Sequence, residues 1–121
     1  MSRILLDSSR IHPAAREQVD NFNTGIIREV EAAVTAHAVV VVGMAQNPFP
    51  RKARKILDAQ GIAYQYLEYG SYFSQWRPRL ALKMWTGWQT YPMVFVRGTL
   101  VGGARELQVL ADSGELQRML G

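Results

Sequence analysis

Val39-Val40-Val41-Val42 constrains the fold more than any other stretch of this chain. A strand with one wet face alternates apolar and polar residues. An uninterrupted β-branched run suits a strand covered on both faces, in a partly parallel sheet with helices on either side. The residues that follow agree with this. Asn47-Pro48-Phe49-Pro50 is a cap-and-turn signal. A helix to about Gln60 follows, with Ala53, Ile56 and Leu57 on its apolar side and Gly61 as its C-cap. Ile62 to Leu67 then alternates and reads as a second strand.

The second half supplies a hairpin and two helices. Glu68 to Phe73 is a loop rich in aromatic residues, after which Ser74 or Arg77 caps a helix. Trp76, Leu80 and Met84 fall at i, i+4 and i+8 along it, a core-like spacing, with Leu82 and Trp85 beside them. Gly87 ends that helix. Met93 to Val96 is a strand, Arg97-Gly98 a tight turn and Thr99-Leu100-Val101 the partner strand. Gly102-Gly103 leads into a helix carrying Leu107 and Leu110; Asp112-Ser113-Gly114 breaks it, and Leu116, Met119 and Leu120 form a last amphipathic turn. The order β-α-β-α-β-β-α predicts one four-stranded mixed sheet with helices on both faces. Upstream, Pro13 opens a helix from Ala14 to about Phe22, and Thr24 caps another through Ile26, Ile27, Val30 and Val34. Residues 1–37 thus read as a helical extension packed on a core formed by 38–121, within one domain.

Composition narrows the chemistry. The 121 residues contain no cysteine, which removes disulfides, thiolate metal sites and cysteine nucleophiles together. His12 and His37 stand far apart without ligand spacing, so no metal site is expected. No run is long enough for a membrane span and the N-terminal apolar run is too short for a signal peptide, so no membrane association and a cytoplasmic location are expected. The formal net charge of +4 is uneven. Residues 51–83 hold seven Arg/Lys against two Asp/Glu, and Arg51-Lys52-Ala53-Arg54-Lys55 is the densest part. A solvated helix face accounts for that run; an anion site is the sharper alternative. Cations at Arg51 and Lys52, near a helix start, oppose the helix dipole unless an anion offsets them.

Three segments mark a candidate site. Trp88-Gln89-Thr90-Tyr91-Pro92 precedes the strand at Met93, Val101-Gly102-Gly103-Ala104 joins strand to helix, and Asn47-Pro48-Phe49-Pro50 follows the first strand. Paired glycines let backbone approach a ligand, and the helix after them offers free N–H groups to a carboxylate. Arg79 and Lys83, four apart, share a helix face. In order and spacing, residues 38–120 resemble the glutaredoxin family, closest to its monothiol members around Trp88–Ala104. The resemblance implies a thioredoxin-like fold with Tyr91–Pro92 in cis and the Tyr91 backbone turned toward an extended ligand. It puts the family's two cysteines at Asn47 and Pro50. It also implies a glutathione-like site of Arg79, Lys83, Tyr91, Pro92, Gly103, Ala104 and Arg105. Beyond the missing cysteines, three features depart from the family: Gln89 stands where the monothiol members usually have proline, Arg105 stands where an acid pairs with the ligand ammonium, and Gly43-Met44-Ala45-Gln46 lacks the family lysine.

The reading that follows is a redox-inactive binding module using the cis-proline cleft. No cofactor follows from the residues themselves; glutathione is the candidate the resemblance adds. The expected partners are a small anionic or glutathione-like ligand, or a protein docking at the cleft. Two alternatives remain open: a transferase-like enzyme that uses the thiol of bound glutathione, oriented by Asn47, and a nucleic-acid binder acting through Arg51 to Lys55. No recognised nucleic-acid motif accompanies that basic run.

Overall fold

The computed structural model describes residues 3–121. Strand β1 (Val39–Gly43) is an inner strand of one four-stranded sheet with order β2-β1-β3-β4. Strand β2 (Gln65–Glu68) runs parallel to β1; β3 (Met93–Val96) is antiparallel to β1, and β4 (Thr99–Gly102) is antiparallel to β3. Val40 to Val42 are 0 % exposed and Val39 is 1 % exposed, as a strand covered on both faces requires.

Side chains alternate along a strand, so the sheet divides the valines between two cores. Val40, Val42, Met93 and Phe95 face α2 (Thr24–Ala36) and α4 (Trp76–Thr86), with Ile26, Val30 and Leu82 packed against them. Val39, Val41, Val94 and Val96 face α3 (Pro48–Ala59), α5 (Ala104–Ser113) and α6 (Glu115–Leu120), where Leu57, Leu107 and Leu116 complete the layer. The chain therefore has a thioredoxin-like α/β fold. The first helix, α1 (Pro13–Asn21), buries no residue, whereas α2 buries Ile26, Val30 and Val34.

Several element boundaries differ from the sequence expectation, each for a local reason. Strand β2 starts at Gln65 rather than Ile62 because the Ile62 N–H donates to the Leu57 carbonyl (3.0 Å) and belongs to the end of α3. Helix α4 is preceded by Gln75, not capped by Ser74 or Arg77. The Ser74 hydroxyl instead accepts from the Ser71 N–H (3.1 Å), inside the aromatic loop. Helix α2 takes Thr24 as its first residue after Asn23 at φ 47°, so the Thr24 hydroxyl does not cap it.

The largest difference is the orientation of α4. Trp76, Leu80 and Met84 do not enter the core; they are 57 %, 38 % and 53 % exposed. The inward face is Arg79, Ala81 and Leu82.

At the end of β1, Gly43 touches the start of α3. A Cβ there would lie 2.7 Å from Pro50 Cβ and 2.8 Å from the Tyr66 hydroxyl, closer than real contacts allow. Pro50 is buried at this junction, so the position the resemblance assigns to a second cysteine is a packing position here. Gly43→Ala is expected to destabilise the protein by about 1–3 kcal/mol through overpacking, read from the midpoint of urea denaturation. An unchanged midpoint would show that the β1–α3 junction can open without cost.

Candidate functional site

The site forms where β1 ends and β3 begins. The two strands are antiparallel, with Val42 opposite Met93, so residues 44–47 and 89–92 meet at one edge of the sheet. The Gly103-Ala104 start of α5 closes the third side. Between them is a cleft of ≈ 460 Å³. Its floor includes Asn47, Tyr91, Pro92 and Gly103, and its rim includes Phe49, Tyr72, Lys83 and Arg105. The Tyr91–Pro92 peptide bond is cis.

Asn47 occupies the N-cap of α3. Its Oδ1 accepts from the Phe49 N–H (3.0 Å), which satisfies one of the free donors of the first turn. Its Nδ2 reaches across the cleft and donates to the Tyr91 carbonyl (3.4 Å). The side-chain amide thus ties the start of α3 to the residue before Pro92. Both of its ends are committed within the protein, and the Tyr91 carbonyl is engaged from inside.

Tyr91 is held from the other end as well. Its hydroxyl donates to the Arg79 carbonyl (2.6 Å) in α4. Burial pushes the Tyr91 phenol well above its ordinary value, with Arg79 acting weakly in the opposite direction. Lys83, one turn after Arg79, places Nζ 5.7 Å from the Tyr91 ring centroid, a cation–π approach at the edge of the cleft.

Arg79 itself leaves the candidate ligand set. Its guanidinium is turned away into the loop before α4, where Nη1 donates to the carbonyls of Tyr69 (3.0 Å) and Ser74. It is 7 % exposed and does not line the cleft. The helix face shared with Lys83 is correct; the long side chain bends to a different partner. By fastening residues 69–74, Arg79 positions the loop that carries Tyr72 onto the rim. Arg51 also stays outside: it is exposed on α3 and does not line the cleft. Of the basic run, Arg54 folds back, its guanidinium carbon 4.3 Å from the Tyr66 ring centroid.

Glu106 is the charged cleft residue that the sequence expectation missed, along with the rim aromatics Phe49 and Tyr72. The Glu106 Oε1 accepts from the Gly103 N–H (2.9 Å), closing the first turn of α5 on itself. A Cβ on Gly102, which has φ +115°, would lie 2.8 Å from Glu106 Cγ; glycine there makes room for the carboxylate. The available signal was Glu three residues after Gly103, the spacing of a capping box without the usual hydroxyl at the cap. The Trp88 indole Nε1 is buried behind the same turn. Ala104 and Arg105, as expected, open α5 at the cleft.

The cleft presents two cations, Lys83 and Arg105, one carboxylate already engaged by backbone, and aromatic walls. Among the described residues no group of three His, Cys, Asp or Glu side chains is placed to hold a metal ion. His12 lies elsewhere: its Nδ1 accepts from the Ala14 N–H (3.1 Å) and caps α1.

Asn47→Ala removes both of its hydrogen bonds and is expected to destabilise the protein by about 1 kcal/mol. Asn47→Asp keeps the cap acceptor and suits the helix dipole, so it should cost less. Chemical denaturation of the two variants checks the order; equal losses would mean that the bond to Tyr91, not the cap, carries the effect.

Comparison with known proteins agrees with this geometry. The family model described as Glutaredoxin matches residues 39–101. A glutaredoxin-like protein of Dictyostelium discoideum is 55 % identical over 98 residues, covering 81 % of this chain and 80 % of that protein. Glutaredoxin 1 of Rickettsia conorii is 32 % identical over 84 residues, covering 69 % of this chain and 81 % of that one. Among solved structures, oxidized glutaredoxin 2 from Chlamydomonas reinhardtii superposes with a TM-score of 0.71 at 26 % identity, covering 81 % of this chain and 92 % of that one. No described helix is long and apolar enough to cross a membrane. With the family model spanning the sheet from β1 into β4, and the strand order and cleft that go with it, this cysteine-free chain belongs to the glutaredoxin family.

Proposed function

We propose that the protein is a redox-inactive binding module of the glutaredoxin fold, which uses the cleft beside Pro92 to hold an anionic, glutathione-like or peptide ligand. The observation that carries this reading is the state of Asn47. Thiol–disulfide exchange starts with attack by a thiolate, and the chain contains no cysteine to form one. The residue at the start of α3 is instead an amide engaged by Phe49 and Tyr91. Each end of the Asn47 amide makes one bond within the protein, which leaves a single Nδ2 hydrogen for the thiol of a bound glutathione, so the transferase-like alternative has at most one donor there.

Lys83 and Arg105 set the ligand preference. The Glu106 carboxylate is turned to the Gly103 N–H, so it offsets the two rim cations only in part. An anion gains from both cations, whereas a ligand ammonium placed near Ala104 meets Arg105. The ligand class this favours is a dianion without a free ammonium group.

Two measurements test the reading. In a glutathione-coupled disulfide reductase assay the protein should stay at background, and Asn47→Cys should restore at most weak activity. Turnover by the native chain well above background would overturn the redox-inactive assignment.

In calorimetric titrations, Arg105→Asp should strengthen glutathione binding about fivefold, roughly 1 kcal/mol for partly exposed charges. It should weaken binding of succinate and of inorganic phosphate. Both effects should shrink as salt is added. If none of these affinities moves, Arg105 does not act on the ligand, and the small-anion reading of the cleft fails.

A further inference from the structure

Helix α4 carries an apolar stripe that faces solvent. Trp76, Leu80 and Met84 are 57 %, 38 % and 53 % exposed, and Phe73, in the loop just before the helix, is 90 % exposed. Single exposed apolar residues are ordinary; a row of them along one helix is the pattern of an interaction surface. The stripe is not an accident of a mobile end. Leu82, 0 % exposed, packs α4 into the core, and the Arg79 guanidinium is fastened to the carbonyls of Tyr69 and Ser74. With its inner face fixed in this way, the helix must present Trp76, Leu80 and Met84 outward.

Charge states what kind of partner fits. At about 100° per residue, Lys83, Trp76, Leu80, Met84 and Arg77 follow one another around the helix in that order, so a cation borders the stripe on each side. The Arg77 guanidinium carbon lies 5.2 Å from the Trp76 ring centroid, which keeps one of these cations at the patch. No Asp or Glu occurs between Glu68 and Glu106, a stretch that holds Arg77, Arg79, Lys83, Arg97 and Arg105. An apolar row between two cationic borders is complementary to a helix with apolar residues at i, i+3, i+4 and i+7 and carboxylates alongside. A second copy of this chain fits poorly, because pairing the stripe with itself brings like charges together.

We propose that the outer face of α4, with Phe73 at its N-terminal end, is a docking surface for an acidic amphipathic helix of a partner protein. The surface lies on the outer side of α4; it shares Lys83 with the cleft, but none of Phe73, Trp76, Leu80 and Met84 lines the cleft.

The probe is a fluorescein-labelled peptide of about 20 residues, with leucines at i, i+3, i+4 and i+7 and glutamates flanking them. Its counterpart has lysines at the flanks. Fluorescence anisotropy with the full chain should show binding of the acidic peptide that weakens with salt, and at least tenfold weaker binding of the lysine peptide. Leu80→Glu and Met84→Glu alter exposed side chains, so thermal melts should stay close to the parent. Each should reduce affinity for the acidic peptide tenfold or more, and Arg77→Glu should reduce it several-fold.

Arg105→Asp, which changes the cleft, should leave acidic-peptide affinity within about twofold. A large loss there would put the peptide in the cleft and overturn the proposal while leaving the cleft reading intact. The proposal also fails if the acidic peptide does not bind at about 0.1 mM, if both peptides bind equally, or if Leu80→Glu binds as the parent does. Sedimentation showing a dimer that Leu80→Glu dissociates would assign the surface to a second copy instead.

Discussion

Burial of β1 on both faces is the constraint on which the rest of this structure depends. Four successive valines leave no side of the strand for water, so helices must cover each face of the sheet. Once β1 is central, its antiparallel pairing with β3 puts the end of one strand beside the beginning of the other. The cleft is the consequence. Residues leaving β1 and residues entering β3 have to turn at the same edge, and the first turn of α5 arrives there from β4. Gly43 makes the turn compact, because only a residue without a Cβ lets Pro50 and Tyr66 close over the end of β1.

The polar groups of this edge are satisfied largely by the chain itself. Asn47 accepts from α3 and donates to the Tyr91 carbonyl; the Tyr91 hydroxyl donates to α4; Glu106 accepts from Gly103. Buried or half-buried polar atoms left without partners are costly, so an amide at position 47 is drawn into structural bonds. The same reasoning explains Arg79. A guanidinium with little access to water needs acceptors, and the loop before α4 offers two carbonyls. The position becomes a clasp for the aromatic loop, which in turn supplies Tyr72 to the rim.

Electrostatics separates the two helix starts near the cleft. At α3 the cations Arg51 and Lys52 point to solvent, where screening makes their conflict with the helix dipole small. At α5 the dipole is met by Glu106, and Arg105 beside it stays exposed. Lys83 adds a second positive group from α4. The positive character of the cleft therefore comes from two residues on different elements, not from the dense basic run that dominates the sequence.

What the sequence determined by itself was the part encoded locally or in a simple period. The valine run marked the central strand, Asn47 and Gly61 marked the ends of α3, and Arg97-Gly98 marked the β3–β4 turn, where both residues adopt positive φ. The resemblance to the glutaredoxins grouped Tyr91, Pro92, Gly103, Ala104, Arg105 and Lys83, and these six line one cleft. The outward stripe of α4, the diversion of Arg79 and the engagement of Asn47 with Tyr91 were decided only by the tertiary structure. Helix α4 carries large apolar side chains around much of its circumference, so periodicity alone could not say which of them the core would take. The acceptors that hold Arg79 and Asn47 are backbone carbonyls, which every residue type carries and no sequence pattern announces.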